Sequence, residues 1–164
     1  MAWSQTAPEL PSGSAWEQEK SISGWSNHWN FTGTLYIARL NGNQFAIKAE
    51  LTSANGSYGT YYPPEKWKLR CDIGGVTGTE DTSFDVVKGT TTFYFIGEAG
   101  EGVTITAAIG GVDAAVAVQT ATFTAPALFG DVLYLNVNGT AKQVTRVLLN
   151  VNGTAKEALV KANP

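Results

Sequence analysis

Apolar and polar residues alternate with a period of two along most of the first 125 residues. The segment WKLRCDI (residues 67–73) places an apolar side chain at every second position and a charged one between them. The segments FAIKAELT (residues 45–52) and VTITAAI (residues 103–109) show the same alternation. Successive side chains of a β-strand point to opposite faces of the sheet. This period therefore predicts antiparallel strands with one face buried and the other in water.

Pairs of turn-forming residues separate these segments. Asn41-Gly42 lies between TLYIARL and NQFAIKAEL. An Asn-Gly pair favours a two-residue hairpin turn, because both positions take a positive φ. The other pairs are Asn55-Gly56, Gly74-Gly75, Lys88-Gly89 and Gly110-Gly111. Short strands at this spacing predict an all-β fold, an antiparallel β-sandwich of about seven to nine strands and of the immunoglobulin-like or jelly-roll-like kind.

The N-terminal segment departs from this pattern. Residues 1–15 contain two prolines, a glycine and several serines without regular alternation. This composition predicts an extended arm without a core of its own. Trp3 interrupts the arm, and we expect its ring to dock on a neighbouring subunit or on the domain itself. Residues 16–125 form the predicted sandwich domain, and residues 126–164 form a separate C-terminal element.

The C-terminal element contains the octet LNVNGTAK twice, at residues 135–142 and at residues 149–156. Each copy is typical of a strand, an Asn-Gly turn and a second strand. The predicted turns are Asn138-Gly139 and Asn152-Gly153. A single hairpin is only marginally stable in water. We therefore expect the two hairpins to form a small β-meander that packs on itself, on the sandwich or on another chain.

Composition and charge narrow the classes of function. Apolar residues make up 43% of the 164 residues, charged residues 15%, and the net charge is −3. Residues 1–124 contain seven Lys/Arg against twelve Asp/Glu, and residues 125–164 contain four against two. Neither part has the concentrated basic face of a nucleic-acid-binding protein. No apolar run approaches the ~18 residues that span a bilayer, so we expect neither nucleic-acid binding nor membrane insertion.

Catalytic and metal-binding motifs are not recognisable in the sequence. His28 is the only histidine and Cys71 the only cysteine, so a zinc site with the usual ligands cannot form. A G-x-S-x-G nucleophile motif is also absent. We interpret His28 as a polar residue of a loop or edge strand, and Cys71 as a small buried apolar residue. The sequence thus predicts no catalytic residue, no metal ion and no cofactor.

Acidic residues leave two alternatives open, a hydrolase and a structural Ca²⁺ site. They are Asp72, Glu80, Asp81, Asp85, Glu98 and Glu101. Two carboxylates beside one sugar can hydrolyse a glycosidic bond, and carboxylates are also ligands for Ca²⁺. Most of these residues lie in turns rich in Gly and Thr, where solvated carboxylates are common. We therefore prefer solvated acids to either alternative.

Aromatic residues form the most specific candidate binding site. The segments SGWSNHWNF and GSYGTYYPPEKW place them beside Gly, Ser, Asn and Pro, in expected loops or edge strands. The candidates are Trp25, Trp29, Tyr58, Tyr61 and Tyr62. Flat rings with nearby hydroxyl and amide groups suit either sugars or protein interfaces. A third alternative is ordinary core for Trp29 and turn packing for the tyrosines.

The C-terminal repeats carry a resemblance to a known group of proteins. LYLNVNGTAKQV and VLLNVNGTAKEA resemble the tandem YVNVNGTAKEV-type units at the C-termini of minor structural and tail proteins of phages and prophages of Gram-positive bacteria. The stretch SGSAWEQEKSISGWSNHWNFTGTLYIARLNGNQFAIKAELTS is similar in style to β-rich phage tail modules. The resemblance implies a non-enzymatic structural role in the tail, the baseplate or the capsid decoration.

The same resemblance implies partners and a location. The partners are other virion proteins and further copies of this chain, with glycans of the host cell surface or of mucus as additional candidates. The first twenty residues lack the basic segment and apolar core of a signal peptide. We therefore expect synthesis in the cytoplasm of the bacterial host and incorporation into the virion.

Overall fold

The computed structural model describes residues 2–25, 29–56, 66–76, 82–111 and 117–127, together with the backbone of four short strands between 134 and 157. The strands are β1 (Trp3–Ser4), β2 (Glu17–Trp25), β3 (Trp29–Arg39), β4 (Gln44–Asn55), β5 (Lys66–Ile73), β6 (Thr82–Asp85), β7 (Gly89–Glu98), β8 (Thr104–Gly111), β9 (Gln119–Thr124), β10 (Tyr134–Val137), β11 (Thr140–Gln143), β12 (Leu148–Val151) and β13 (Thr154–Glu157). The described residues contain no helix. The chain divides into a first unit, Met1–Leu128, and a second unit, Phe129–Pro164.

The first unit contains two antiparallel sheets. The five-stranded sheet has the order β1-β7-β4-β3-β2, and the four-stranded sheet has the order β6-β5-β8-β9. The longest pairing joins β3 to β4 and runs without interruption from Trp29 opposite Asn55 to Arg39 opposite Phe45. The prediction of an all-β fold with antiparallel strands is confirmed, and the nine strands of the two sheets fall within the expected number.

A core of aromatic and aliphatic side chains fills the space between the two sheets. Trp67 on β5 lies edge-to-face against Trp29 and Phe31 of the other sheet, with ring centroids 4.9 and 5.1 Å apart. Its ring centroid is also 6.4 Å from that of Phe93 on β7. Cys71, two strand positions beyond Leu69, is buried on the same inner face. The alternation in WKLRCDI therefore assigned the inner and outer faces of β5 correctly.

The N-terminal segment contacts the first unit of its own chain. Trp3 in β1 is buried, and its ring centroid lies 5.5 Å from that of Phe95. The strands β1 and β2 are at opposite edges of the five-stranded sheet, so residues 5–16, here called the strap, connect the two edges. Trp16, at the end of the strap, lies with its ring centroid 6.1 Å from that of Tyr94 on β7. Of the two alternatives for Trp3, the structure places it on the domain itself.

The turn at Asn41-Gly42 is one residue longer than expected. Leu40 N–H donates to the carbonyl of Gln44, and Gln44 N–H donates to the carbonyl of Asn41. The loop therefore contains Asn43 as a third residue, and only Gly42, with φ 58°, has a positive φ within it. The two-residue turn with two positive φ values was wrong. The Asn43 carbonyl accepts a hydrogen bond from Ala99 N–H on the connection between β7 and β8, which ties the extra residue to that connection.

The second unit contains both copies of the repeated octet. Strand β10 pairs with β11, and β12 pairs with β13, each antiparallel and in the same register within its octet. The turn residues Asn138, Gly139, Asn152 and Gly153 lie outside the described residues. Among the described strands, β11 and β12 are not paired with each other, so the two hairpins form separate sheets and not one continuous meander.

Candidate functional site

The two tryptophans of SGWSNHWNF have opposite environments. Trp25 ends β2 on the outer face and is 73% exposed. Trp29 begins β3 on the inner face and is fully buried against Trp67. A ligand at the surface cannot reach the Trp29 ring, so the expected binding role of Trp29 gives way to the core alternative. The reason is that Trp25 ends β2 and Trp29 begins the antiparallel strand β3, so each residue follows the alternation of its own strand.

Tyr58, Tyr61 and Tyr62 lie outside the described residues, but the strand ends on either side of them are described. Asn55 ends β4 opposite Trp29, and its carbonyl accepts a hydrogen bond from Asn30 Nδ2 at 3.1 Å. Lys66 begins β5 beside Trp67, which contacts Trp29. Both flanks are therefore at the end of the first unit that carries Trp25, which we call the Trp25 end.

Arg39 organises the opposite end of the first unit, which we call the Arg39 end. Its side chain is buried and donates to three backbone carbonyls: Ala99 at 2.8 Å, Asn43 at 3.1 Å, and Pro126 at 3.0 Å from Nε. The Arg39 carbonyl accepts a hydrogen bond from Ser14 Oγ in the strap. One residue thus holds the strap, two connections between strands, and the point where the chain leaves β9.

The charge of Arg39 is unusual for so buried a position. Burial lowers the pKa of the guanidinium, and the carboxylates of Glu101 and Glu17 oppose this by raising the pKa. An arginine remains a cation in proteins, so the three carbonyl dipoles supply its short-range neutralisation. This arrangement makes Arg39 a structural clamp at the exit of the first unit.

Gln18 joins the edges of the two sheets. Its backbone has a positive φ of 54° at a register shift between β2 and β3. Its Nε2 donates to the carbonyl of Thr124 on β9 at 2.7 Å, and Thr124 N–H donates to its Oε1 at 3.0 Å. The side-chain amide thereby makes the paired hydrogen bonds that a neighbouring strand would make. Gln18 closes this side of the core, where β2 and β9 belong to different sheets.

A second group of aromatic side chains lies on the outer face of the five-stranded sheet, which we call the outer face. Tyr36, Lys48 and Tyr94 are cross-strand neighbours on β3, β4 and β7. Lys48 Nζ lies 4.3 Å from the ring centroid of Tyr36 and 5.5 Å from that of Trp16. These three residues are not among the candidates that the sequence predicts, because only the strand register brings Lys48 and Tyr94 beside Tyr36.

The described acidic residues are divided between the two ends of the first unit. Asp72 pairs with Arg70 at 3.2 Å on β5. Asp85 lies at the Trp25 end opposite Lys66, whereas Glu98 lies at the other end opposite Gln44. Within the described ranges, no group of three or more His, Cys, Asp or Glu is placed to hold a metal ion. His28, Glu80 and Asp81 fall outside those ranges.

The fold and these sites define a class, an all-β protein with two antiparallel sheets packed in a sandwich-like manner around one core. Comparison of the chain with protein-family models, with curated proteins and with solved structures finds no match. None of the described segments is a helix long and apolar enough to cross a bilayer.

Proposed function

We propose that the chain is a non-enzymatic structural protein of a tailed-bacteriophage virion, in its tail, baseplate or capsid decoration. It acts through assembly with other virion proteins and with further copies of itself. The first unit, a sandwich of the immunoglobulin-like or jelly-roll-like kind, is the displayed body. The second unit is the element that attaches it.

The polarity of the first unit supports this division of roles. The strap contact and the exit at Pro126 both lie at the Arg39 end. The exposed Trp25 and the flanks of the tyrosine segment lie at the opposite end. Strand β3 has 11 residues, so the two ends are about 33 Å apart at a rise of about 3.3 Å per residue. In the proposed role, the Arg39 end is the anchored end and the opposite end presents Trp25.

The repeats supply a second line of support. Each hairpin of the second unit has strands of only four residues, and an isolated two-stranded hairpin of this size is marginal in water. Such hairpins gain stability when another surface covers one face. Symmetric assembly in a particle offers that surface in many identical copies.

Sedimentation velocity of the full chain tests the proposal. We expect a homo-oligomer, and we expect the full-length double variant Val137→Asp/Val151→Asp to sediment as a monomer, because charged residues interrupt both hairpins. The matched control is Ser83→Asp on the exposed edge strand β6, which leaves the oligomer intact. The wild-type chain, but not the double variant, also co-purifies with virions. A wild-type chain that stays monomeric and does not co-purify contradicts the proposal.

A second candidate function is a carbohydrate-binding module that uses the aromatic residues Trp25, Tyr58, Tyr61 and Tyr62. The 73% exposure of Trp25 favours it. The two functions are compatible, because display in many copies strengthens weak sugar binding. A glycan array of the wild-type chain, repeated with Tyr61→Ala and Tyr62→Ala, tests the candidate. Binding that is absent, or that both changes leave untouched, removes it.

A further inference from the structure

We propose that the outer face binds an extended, neutral polysaccharide, which stacks on Tyr36, Tyr94 and Trp25 and hydrogen-bonds to the hydroxyl groups between them. This inference goes beyond the assembly role and does not depend on it. It shares Trp25 with the carbohydrate-binding candidate, but it assigns the binding to Tyr36 and Tyr94 and not to Tyr58, Tyr61 and Tyr62.

The outer face consists of rows of cross-strand neighbours. The first row is Tyr36-Lys48-Tyr94, the second is Thr34-Glu50-Thr92, and the third is Thr32-Thr52-Thr90. The fourth row is Asn30-Ala54, and Trp25 on β2 lies opposite Asn30. Six strand positions separate Tyr36 from Asn30, or about 20 Å at about 3.3 Å per residue. The aromatic rings therefore stand at both ends of a track that is long enough for several sugar rings.

The aromatic rings at the first row are held in place by their neighbours. Tyr36 and Tyr94 are each half-buried. One side of Tyr36 is covered by Lys48 Nζ at 4.3 Å, and Tyr94 packs on Trp16 with ring centroids 6.1 Å apart. Rings that are fixed before binding lose little conformational entropy when a ligand stacks on them. This arrangement suits the flat apolar face of a sugar ring.

Hydroxyl groups cover the area between the aromatic rings. Thr32, Thr52 and Thr90 are exposed, and the Thr52 and Thr90 hydroxyls lie 2.7 Å apart. Strand β2 adds Ser21 and Ser23, which are also exposed. The central part of a protein–protein interface is apolar and poor in charge, whereas this central part is hydroxylated. Closely spaced hydroxyls that both donate and accept match a polyhydroxyl ligand better than a protein surface.

Charge on the outer face favours a neutral ligand. Lys48 Nζ and Glu50 Oε1 are 3.2 Å apart, so the cation at the centre of the aromatic group already has an anionic partner. The other side chains of these rows carry no charge. The outer face therefore offers a ligand one ion pair among neutral side chains, which matches a neutral polysaccharide better than an acidic one.

Affinity electrophoresis of the full chain tests the inference, with dextran, hydroxyethylcellulose, soluble starch or galactomannan in the gel. We expect retardation by at least one of these neutral polysaccharides. Tyr36→Ala and Tyr94→Ala each weaken binding at least tenfold, a change of about 1.4 kcal/mol. Tyr94→Phe keeps the ring and retains binding. Thr52→Lys changes an exposed position of the outer face and also weakens binding. This variant tests the inference if the alanine variants do not fold.

Two controls separate binding at the outer face from binding elsewhere on the chain. Thr106→Lys changes the matching hydroxyl pair of the four-stranded sheet, where the Thr106 and Thr122 hydroxyls lie 3.4 Å apart, and it leaves binding unchanged. The double variant Tyr61→Ala/Tyr62→Ala also leaves binding unchanged. The inference is overturned if the chain is retarded in none of the four gels. It is also overturned if only the double tyrosine variant loses binding. A third outcome also overturns it: the outer-face variants no longer bind virions, and the wild-type chain binds none of the polysaccharides. That result would assign the outer face to a protein partner. Failure here leaves the sedimentation result unaffected.

Discussion

Replacement of Trp67 by alanine is expected to lower the free energy of unfolding of the first unit by about 3–5 kcal/mol, the range for large aromatic-to-alanine changes in a core. Trp67 is the side chain of the four-stranded sheet that contacts Trp29, Phe31 and Phe93 of the five-stranded sheet. Its removal leaves a cavity between the two sheets. The cavity cannot close unless the sheets move relative to each other. Urea unfolding followed by far-ultraviolet circular dichroism measures the change.

A matched pair of variants makes this result interpretable. Trp67→Phe keeps an aromatic ring in the cavity, so we expect about 1–2 kcal/mol of destabilisation. Trp25→Ala removes the same side chain from a position that is 73% exposed, and we expect a change within about 0.5 kcal/mol. Equal effects for Trp67→Ala and Trp25→Ala would contradict the assignment of Trp67 to the contact between the sheets.

Replacement of Arg39 by alanine is expected to cost about 2–4 kcal/mol, because buried carbonyls that lose their donor pay a desolvation penalty of about 1–3 kcal/mol each. The Ala99 carbonyl, bonded at 2.8 Å, is the most buried of the three acceptors. Water can reach the Asn43 carbonyl in its exposed loop, which limits the loss there. We also expect faster hydrogen exchange at the amides of the Arg39 end, which mass spectrometry measures.

Two further variants distinguish geometry from charge. Arg39→Lys keeps the cation but has one ammonium group in place of the guanidinium fork, so it cannot span the three carbonyls. We expect it to restore less than half of the loss. Arg70→Ala removes a half-exposed arginine that pairs with Asp72 at 3.2 Å, and such surface pairs contribute about 0–1 kcal/mol. Full rescue by lysine would show that charge, and not the fork geometry, is what Arg39 contributes.

The clamp bears on the proposed attachment of the chain. The Arg39 side chain donates to the carbonyl of Pro126, two residues before the end of the first unit, and the Arg39 carbonyl accepts a hydrogen bond from Ser14 in the strap. A loosened clamp therefore weakens the defined exit from which the second unit continues. If the first unit is displayed from a particle, Arg39→Ala lowers recovery with virions more than a surface change of equal charge, such as Arg70→Ala.

Trp25 and Trp29 show how far alternation reaches. They are four residues apart, so they would share a face in one continuous strand. They belong instead to the two antiparallel strands β2 and β3, and one is exposed while the other is core. Local alternation cannot reveal this, because each strand has its own alternation. The choice between ligand surface and core for Trp29 required knowledge of where the strands begin.

The sequence by itself determined which side chains of β4, β5 and β8 face inward. Alternation follows from the covalent geometry of an extended backbone, so it placed Trp67 and Cys71 of β5 in the core. It also located the turn at Asn41-Gly42 and both repeats, whose octets pair in identical register. These features depend on a few neighbouring residues, which the sequence shows directly.

Only the tertiary structure decided which strands lie side by side. The register that joins Tyr36, Lys48 and Tyr94 involves three strands spread over nearly sixty positions of the chain, and the bonds from Arg39 reach Pro126 across 87 positions. The third residue of the Asn41-Gly42 loop likewise depends on Ala99. Pairings of this kind are selected by the total free energy of packing, which no local pattern contains. The candidate binding face is therefore a product of strand order and register.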